Sequence, residues 1–195
     1  MQIGTNTNDV AWEFEEANGF DEEMLGWYRE YTRLHLRLWP YVWTYLERLY
    51  EDGRAIQRPL GLAYPELGEH PSDIFLLGDE LLVAPVVERG VRQRDVTLPP
   101  GTWVDWWTGA SHEGPDEISV DAPLGTLPLF QRAGSTVPML RDTIDTLSPV
   151  AEGSAVDSFA TTAGVLTLRY VPRPEATFVL YDGTSVATSS DASGV

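Results

Sequence analysis

The hydrophobic period of the chain changes at Gly53, and no other feature limits the possible folds as strongly. Between Asp21 and Asp52, the residues Tyr28, Tyr31, Leu34, Leu38, Tyr41, Tyr45 and Leu49 recur at spacings of three and four, which is the pattern of an amphipathic helix. Asp21 stands where a helix cap is wanted, Glu22 and Glu23 suit the positive end of the helix dipole, and Gly53 can take a left-handed C-terminal cap. The sequence thus predicts one long helix, kinked at Pro40, whose ring removes a donor and crowds the preceding turn. Its apolar positions, from Met24 to Leu49, cover more than half the circumference. Such a helix expects cover on two sides, and an uncovered band over residues 24–49 implies self-association.

After Gly53, Pro, Gly and β-branched residues take over. Short strands are predicted near 56–60, 80–87, 95–98, 102–106, 117–120, 126–130 and 136–139, a series that suggests an antiparallel sandwich. Pro99, Pro100 and Gly101 read as a hairpin turn between two of these strands. Residues 142–163 are rich in Ser, Thr, Ala, Gly and Asp, the composition of a linker or an irregular crossing. Beyond them, 165–171 and 176–181 alternate as a second hairpin, and the final TSSDASGV reads as a tail with nothing to bury.

Composition removes several function classes. The 13 cationic side chains, all Arg, face 30 Asp and Glu, for a formal net charge of −17. The resulting field repels polyanions, so nucleic acid and anionic membrane are poor partners. With no Cys there is no disulfide and no thiolate site, although compartment stays open because many exported proteins also lack cystine. Neither a signal peptide nor a membrane span is visible within the chain.

Few constellations carry chemistry. His35, His70 and His112 lack the spacing of a zinc site, so no metal or other cofactor is expected. Ser111 and His112 are adjacent, but no nucleophile elbow frames them and they read as a surface turn. The acids Glu13, Glu15, Glu16, Asp21, Glu22 and Glu23 read as a solvated face and a helix start. Trp103, Trp106 and Trp107 are either core rings or a flat platform for a sugar. In a regular strand, Trp103 and Trp107 share one face with Asp105 while Trp106 points the other way.

Four stretches, PYVWTYLERLYEDGRAIQRPL, DIFLLGDELLVAPVVERG, RDVTLPPGTWVDWWTG and APLGTLPLFQRAGSTVPML, resemble in this order the C-terminal part of glycoside hydrolase family 31. LLGDELLVAPV, ending at Val86, and LPPGTWVDWWTG, ending at Gly109, are the most specific pieces. The stretch LTLRYVPRPEATFVLYDG, ending at Gly183, resembles the opening of the family's distal sandwich. The resemblance implies a (β/α)8 barrel followed by two β-sandwiches, acting on α-linked sugars, mostly with retention through two Asp residues. Aligned by order, residues 1–53 are the end of that barrel, with its eighth strand and last helix. Residues 54–142 are the proximal sandwich, and 143–195 are a linker and the beginning of the distal one.

Both catalytic Asp residues of the family precede the stretch that this chain resembles, so no catalytic residue is assigned here. A substrate-contacting His that follows the eighth strand in the family has no counterpart in GTNTND, at residues 4–9. That leaves Gln2, Asn8 and Asp9 as candidate substrate-binding residues at the C-terminal face of the barrel. The resemblance implies an α-glycosidase with a carbohydrate substrate, of which this chain is a noncatalytic portion. The alternative is a noncatalytic β-sandwich, either glycan-binding, which is distinguished by Trp rings that are exposed and coplanar, or purely structural.

Overall fold

The computed structural model describes residues 21–68, 71–161, 163–172 and 175–189. The chain divides into two compact units, one containing residues up to Trp39 together with Met139–Thr167, the other Pro40–Pro138 together with Leu168 onward.

The first unit contains helix α1, Glu22–Arg37, whose start follows the sequence signals. The Asp21 carboxylate accepts from the Met24 N–H at 2.8 Å, and Glu22 and Glu23 occupy the first turn. No α1 residue is buried. Contrary to the single kinked helix expected, the α-helix stops at Leu38 (φ −74°, ψ 1°), and α2, Trp39–Asp52, begins anew. Pro40 explains the break: it cannot donate to the preceding turn, its ring crowds that turn, and it is well placed in the first turn of a new helix.

Residues 141–161 of this unit are irregular but tied. Arg141 grips both carboxylate oxygens of Asp157 and donates to the Ser158 carbonyl at 2.9 Å. The Asp157 N–H donates to Asp145 at 3.0 Å, Thr146 bridges Ser158, and Ile144 is fully buried.

The second unit is built on an antiparallel six-stranded sheet. Its strands are β1 (Gln57–Pro59), β2 (Phe75–Leu77), β3 (Leu81–Val83), β4 (Gln93–Asp105), β5 (Ser111–Asp121) and β6 (Leu129–Arg132), in the spatial order β1-β2-β3-β6-β4-β5. A short helix, α3, Leu60–Ala63, follows β1. The core has Leu60, Leu82, Val96, Leu98, Trp103 and Phe130 at its centre, all fully buried. Strand β7, Thr136–Met139, pairs with β8, Thr167–Tyr170, while β9, Glu175–Val179, pairs with β10, Ser185–Ser189.

Three expectations are corrected here. Pro99-Pro100-Gly101 is no hairpin turn: the two strands expected around it are one long strand, β4, with a register shift between Leu98 and Gly101. The bulge fits because Gly114 lies opposite, where a Cβ would stand 2.1 Å from the Pro99 carbonyl oxygen. The second correction is that 165–171 and 176–181 do not pair with each other, and Ser185–Ser189, whose last two residues read as tail, is the true partner of β9. Local alternation identifies strands but not mates: β8 pairs with the distant β7, whereas β9 turns back onto β10, a polar stretch with no apolar alternation to mark it. Finally, Ser111 and His112 open strand β5 rather than forming a turn.

Candidate functional site

Gln2, Asn8 and Asp9, the residues expected near substrate, lie outside the described residues, as does His70. The described chemistry concentrates at two places in the second unit, the tryptophan turn and the end of α2.

At the turn, β4 ends on Asp105 and the strand alternation ends with it. The Asp105 carboxylate accepts from the N–H groups of Trp107 (2.9 Å) and Thr108 (2.7 Å), and the Gly109 N–H closes onto the Asp105 carbonyl at 3.0 Å. The three rings therefore part company. Trp103 is 0% exposed, its indole N–H donating to the Pro99 carbonyl at 2.9 Å. Trp106 is 8% exposed, and the Arg169 guanidinium lies over it, 3.9 Å from the ring centroid. Only Trp107 is substantially open, at 36%, with its indole N–H on the Leu127 carbonyl at 2.7 Å. A coplanar three-ring platform is thus not formed, and the glycan-binding alternative loses the feature it required.

Behind Trp106, Arg169 donates to the Gln131 side chain (3.0 Å) and to the Trp106 carbonyl (2.8 Å). A guanidinium serves here because its planar fork spans two acceptors while its face stacks on the indole.

The other cluster sits between α2 and the turn joining β2 to β3. The Tyr41 hydroxyl lies 2.7 Å from the Leu77 carbonyl oxygen and 2.8 Å from Glu80 Oε2, which is also 2.7 Å from the Tyr45 hydroxyl. The Asp79 N–H donates to Tyr45 Oη at 3.0 Å. Desolvation raises the Glu80 carboxyl above the usual range, with the neighbouring Asp79 charge adding to it and the hydrogen bonds from Tyr45 and Tyr41 opposing it. Burial, reinforced by Glu80, likewise raises both phenols. Asp79 itself is paired with Arg58 and, at 3.2 Å, with Arg54.

A glycosidase needs two carboxyl groups facing a bond across an open cleft. Asp79 and Glu80 are adjacent but engaged, one by guanidinium groups and the other by phenols, so the cluster braces the fold instead of presenting an acid pair. Nothing in the sequence pattern marked it, since Tyr41 and Tyr45 are also ordinary members of a helical stripe. Among the described residues no group of three or more His, Asp or Glu is placed to hold a metal ion, and no helix is long and apolar enough to cross a membrane.

Comparison with known proteins agrees with the fold. Residues 53–137 match the Glycosyl hydrolase family 31 C-terminal domain. Alpha-glucosidase 2 of Bacillus thermoamyloliquefaciens is 32% identical over 190 residues, covering 93% of this chain and 23% of that protein. The Flavobacterium johnsoniae GH31 dextranase complexed with glucose superimposes with a TM-score of 0.69 at 32% identity, over 90% of this chain and 20% of that one. The cycloalternan-forming enzyme from Listeria monocytogenes, in complex with a pentasaccharide substrate, gives a TM-score of 0.76 at 28% identity, over 98% of this chain and 18% of that one. The chain thus spans less than a quarter of the length of each of these three proteins.

Proposed function

The chain belongs to glycosyl hydrolase family 31 through its C-terminal domain, and from that premise we propose that it is the C-terminal supporting portion of a retaining α-glycosidase. The observation that carries this reading is the coverage: 93% of the chain aligns with only 23% of an α-glucosidase. In such a parent, one carboxylate attacks the anomeric carbon and a second group serves as acid and then base. Both belong to the preceding barrel, and this chain contributes no catalytic residue.

Under the same reading, residues 1–53 are the end of the barrel, 54–142 the proximal sandwich, and 143–195 a linker with the beginning of a distal sandwich. Gln2, Asn8 and Asp9 then stand at the sugar-facing end of the eighth barrel strand. The long β4 and β5 ribbon and the two braced clusters supply the rigidity on which a barrel can lean. The carbohydrate is the partner of the parent protein. The isolated chain self-associates through the apolar band predicted over residues 24–49, on its α1 part, which buries none of its own residues, since Tyr41 and Tyr45 of α2 are covered within the second unit.

The test is turnover. The purified 195-residue chain is expected to leave aryl α-glucosides and α-xylosides intact, and to acquire activity when joined to a family 31 barrel. Hydrolysis by the chain alone, removed by a substitution within it, would refute the reading.

A further inference from the structure

The contacts around Glu80 contain one more hydrogen bond than the tyrosines can supply. Three oxygen pairs are close: Tyr41 Oη with the Leu77 carbonyl at 2.7 Å, Tyr41 Oη with Glu80 Oε2 at 2.8 Å, and Tyr45 Oη with Glu80 Oε2 at 2.7 Å. These separations are typical of O–H···O bonds, and each needs a proton between its two oxygens. A phenol carries one proton, a carbonyl none and a carboxylate none. Two tyrosines thus provide two protons for three contacts. The nearby N–H groups do not make up the difference, because none of them supplies a proton between two of these oxygens: that of Asp79 is directed at Tyr45 Oη (3.0 Å) and Glu80 Oε2 (3.3 Å), and that of Glu80 at Tyr41 Oη (3.4 Å).

We infer that Glu80 is a neutral carboxylic acid in the folded protein, donating its proton from Oε2 to Tyr41 and making the brace between α2 and the β2–β3 turn a protonation-dependent clamp. One ordered chain then satisfies all three oxygen–oxygen contacts. The Asp79 N–H donates to Tyr45, Tyr45 to Glu80 Oε2, Glu80 Oε2 to Tyr41, and Tyr41 to the Leu77 carbonyl.

The charged surroundings support the neutral form. From β1 and the segment before it, Arg58 and Arg54 both address Asp79. From α2, Arg48 lies over the Tyr45 ring, 4.8 Å from its centroid. From β6, the Arg132 backbone N–H donates to the Glu80 carbonyl, while its side chain is exposed. Strand β9 presents uncharged Phe178, stacked on Tyr41 at 5.8 Å. The one charge that acts directly on Glu80 is the anionic Asp79, which disfavours a second anion.

Loss of the Glu80 proton turns both phenols toward the carboxylate and leaves the Tyr41 and Leu77 oxygens facing each other without a proton. The clamp is closed at acidic pH and loosens as pH rises through the Glu80 value.

The full chain, labelled with carbon-13 at glutamate carboxyls, tests this by NMR titration, with the Glu80 resonance assigned through bonds to its own backbone. At the pH where the exposed glutamate carbons have moved to their ionised shifts, Glu80 is expected to keep the protonated shift. Thermal midpoints give a second readout. As pH rises through the transition of the Glu80 carbon, the wild-type midpoint should fall more than that of Glu80→Gln, whose amide cannot ionise. A Glu80 carbon that titrates with the exposed glutamates overturns the inference without any substitution having to fold, and so do equal pH slopes for the two proteins.

Discussion

Gly78 is packed directly under Tyr41: a Cβ built on Gly78 would stand 2.0 Å from the Tyr41 hydroxyl oxygen and 2.6 Å from Tyr45 Cε2. The glycine also has φ +68°, a left-handed conformation that side chains resist. Gly78→Ala therefore meets both a strained backbone and a clash with the two phenols of the clamp. The comparison is Gly90→Ala, where φ is +86° but nothing lies within 4 Å, so only the backbone cost of about 1 kcal/mol applies. Urea unfolding is expected to show Gly78→Ala losing more than ~3 kcal/mol or failing to fold, with Gly90→Ala near the smaller value. Equal losses would mean that the turn moves away from α2 at little cost.

Among the described residues, Trp103 is the largest fully buried side chain. Trp103→Ala should cost about 3–5 kcal/mol as a core truncation. Trp107→Ala, at a ring more than one third exposed, should cost less than ~2 kcal/mol, most of it from the indole contact with Leu127. Denaturant midpoints of the pair measure the difference. A small loss at Trp103 would place that ring outside the core.

Arg169 joins the Trp106 ring, the Trp106 carbonyl and the fully buried Gln131. Arg169→Lys keeps the charge but not the fork, so it is expected to destabilise by about 1–3 kcal/mol, nearly as much as Arg169→Met. Intrinsic tryptophan fluorescence should shift in both variants because the guanidinium leaves the Trp106 face. A lysine variant as stable as wild type would show that charge alone suffices there.

Asp157 behaves oppositely to Glu80. The hydrogen bond from Arg141, then that from Thr143, holds its carboxyl down at about 2. A lowered folded-state value contributes stability above the unfolded value of about 3.8, and that contribution disappears as pH falls toward 2. Amide exchange in residues 141–161 should accelerate over this window in wild type, whereas Asp157→Asn should exchange faster already at neutral pH and change less on acidification. Unchanged protection down to pH ~2 would contradict the assigned pairing.

The strands and the helix start were legible in the sequence for reasons that act locally. Asp21 caps where its residue type and position indicated, and Trp103 is buried as a core ring, one of the two readings its strand allowed. The two mistaken hairpins show where that reasoning stops. Pro99-Pro100-Gly101 has turn chemistry, yet Gly114 across the ladder leaves room for a bulge, and a partner's missing side chain is invisible to a reading of the strand itself. Strand β9 found its mate in Ser185–Ser189, a polar stretch that supplies backbone pairing without an apolar pattern. The Glu80 clamp was equally out of reach, because its members are separated by 35 and 39 positions and each looks ordinary alone. Gln2, Asn8 and Asp9 were singled out through family resemblance, and the described residues do not include them.

Strand β5 ends the six-stranded sheet, with β4 its one partner among the described residues. Its outer backbone is a template on which another extended chain could add itself. Four exposed carboxylates, Glu113, Asp116, Glu117 and Asp121, are spread along it, and Pro115 interrupts its row of donors. At the opposite border, β1 is three residues long and ends in Pro59. Both rims are therefore hostile to fibril growth, but in different ways: one by brevity and proline, the other by charge repulsion that reaches no further than the Debye length. Concentrated salt blunts the second defence and leaves the first intact, which makes β5 the strand along which copies of the chain would zip together in brine.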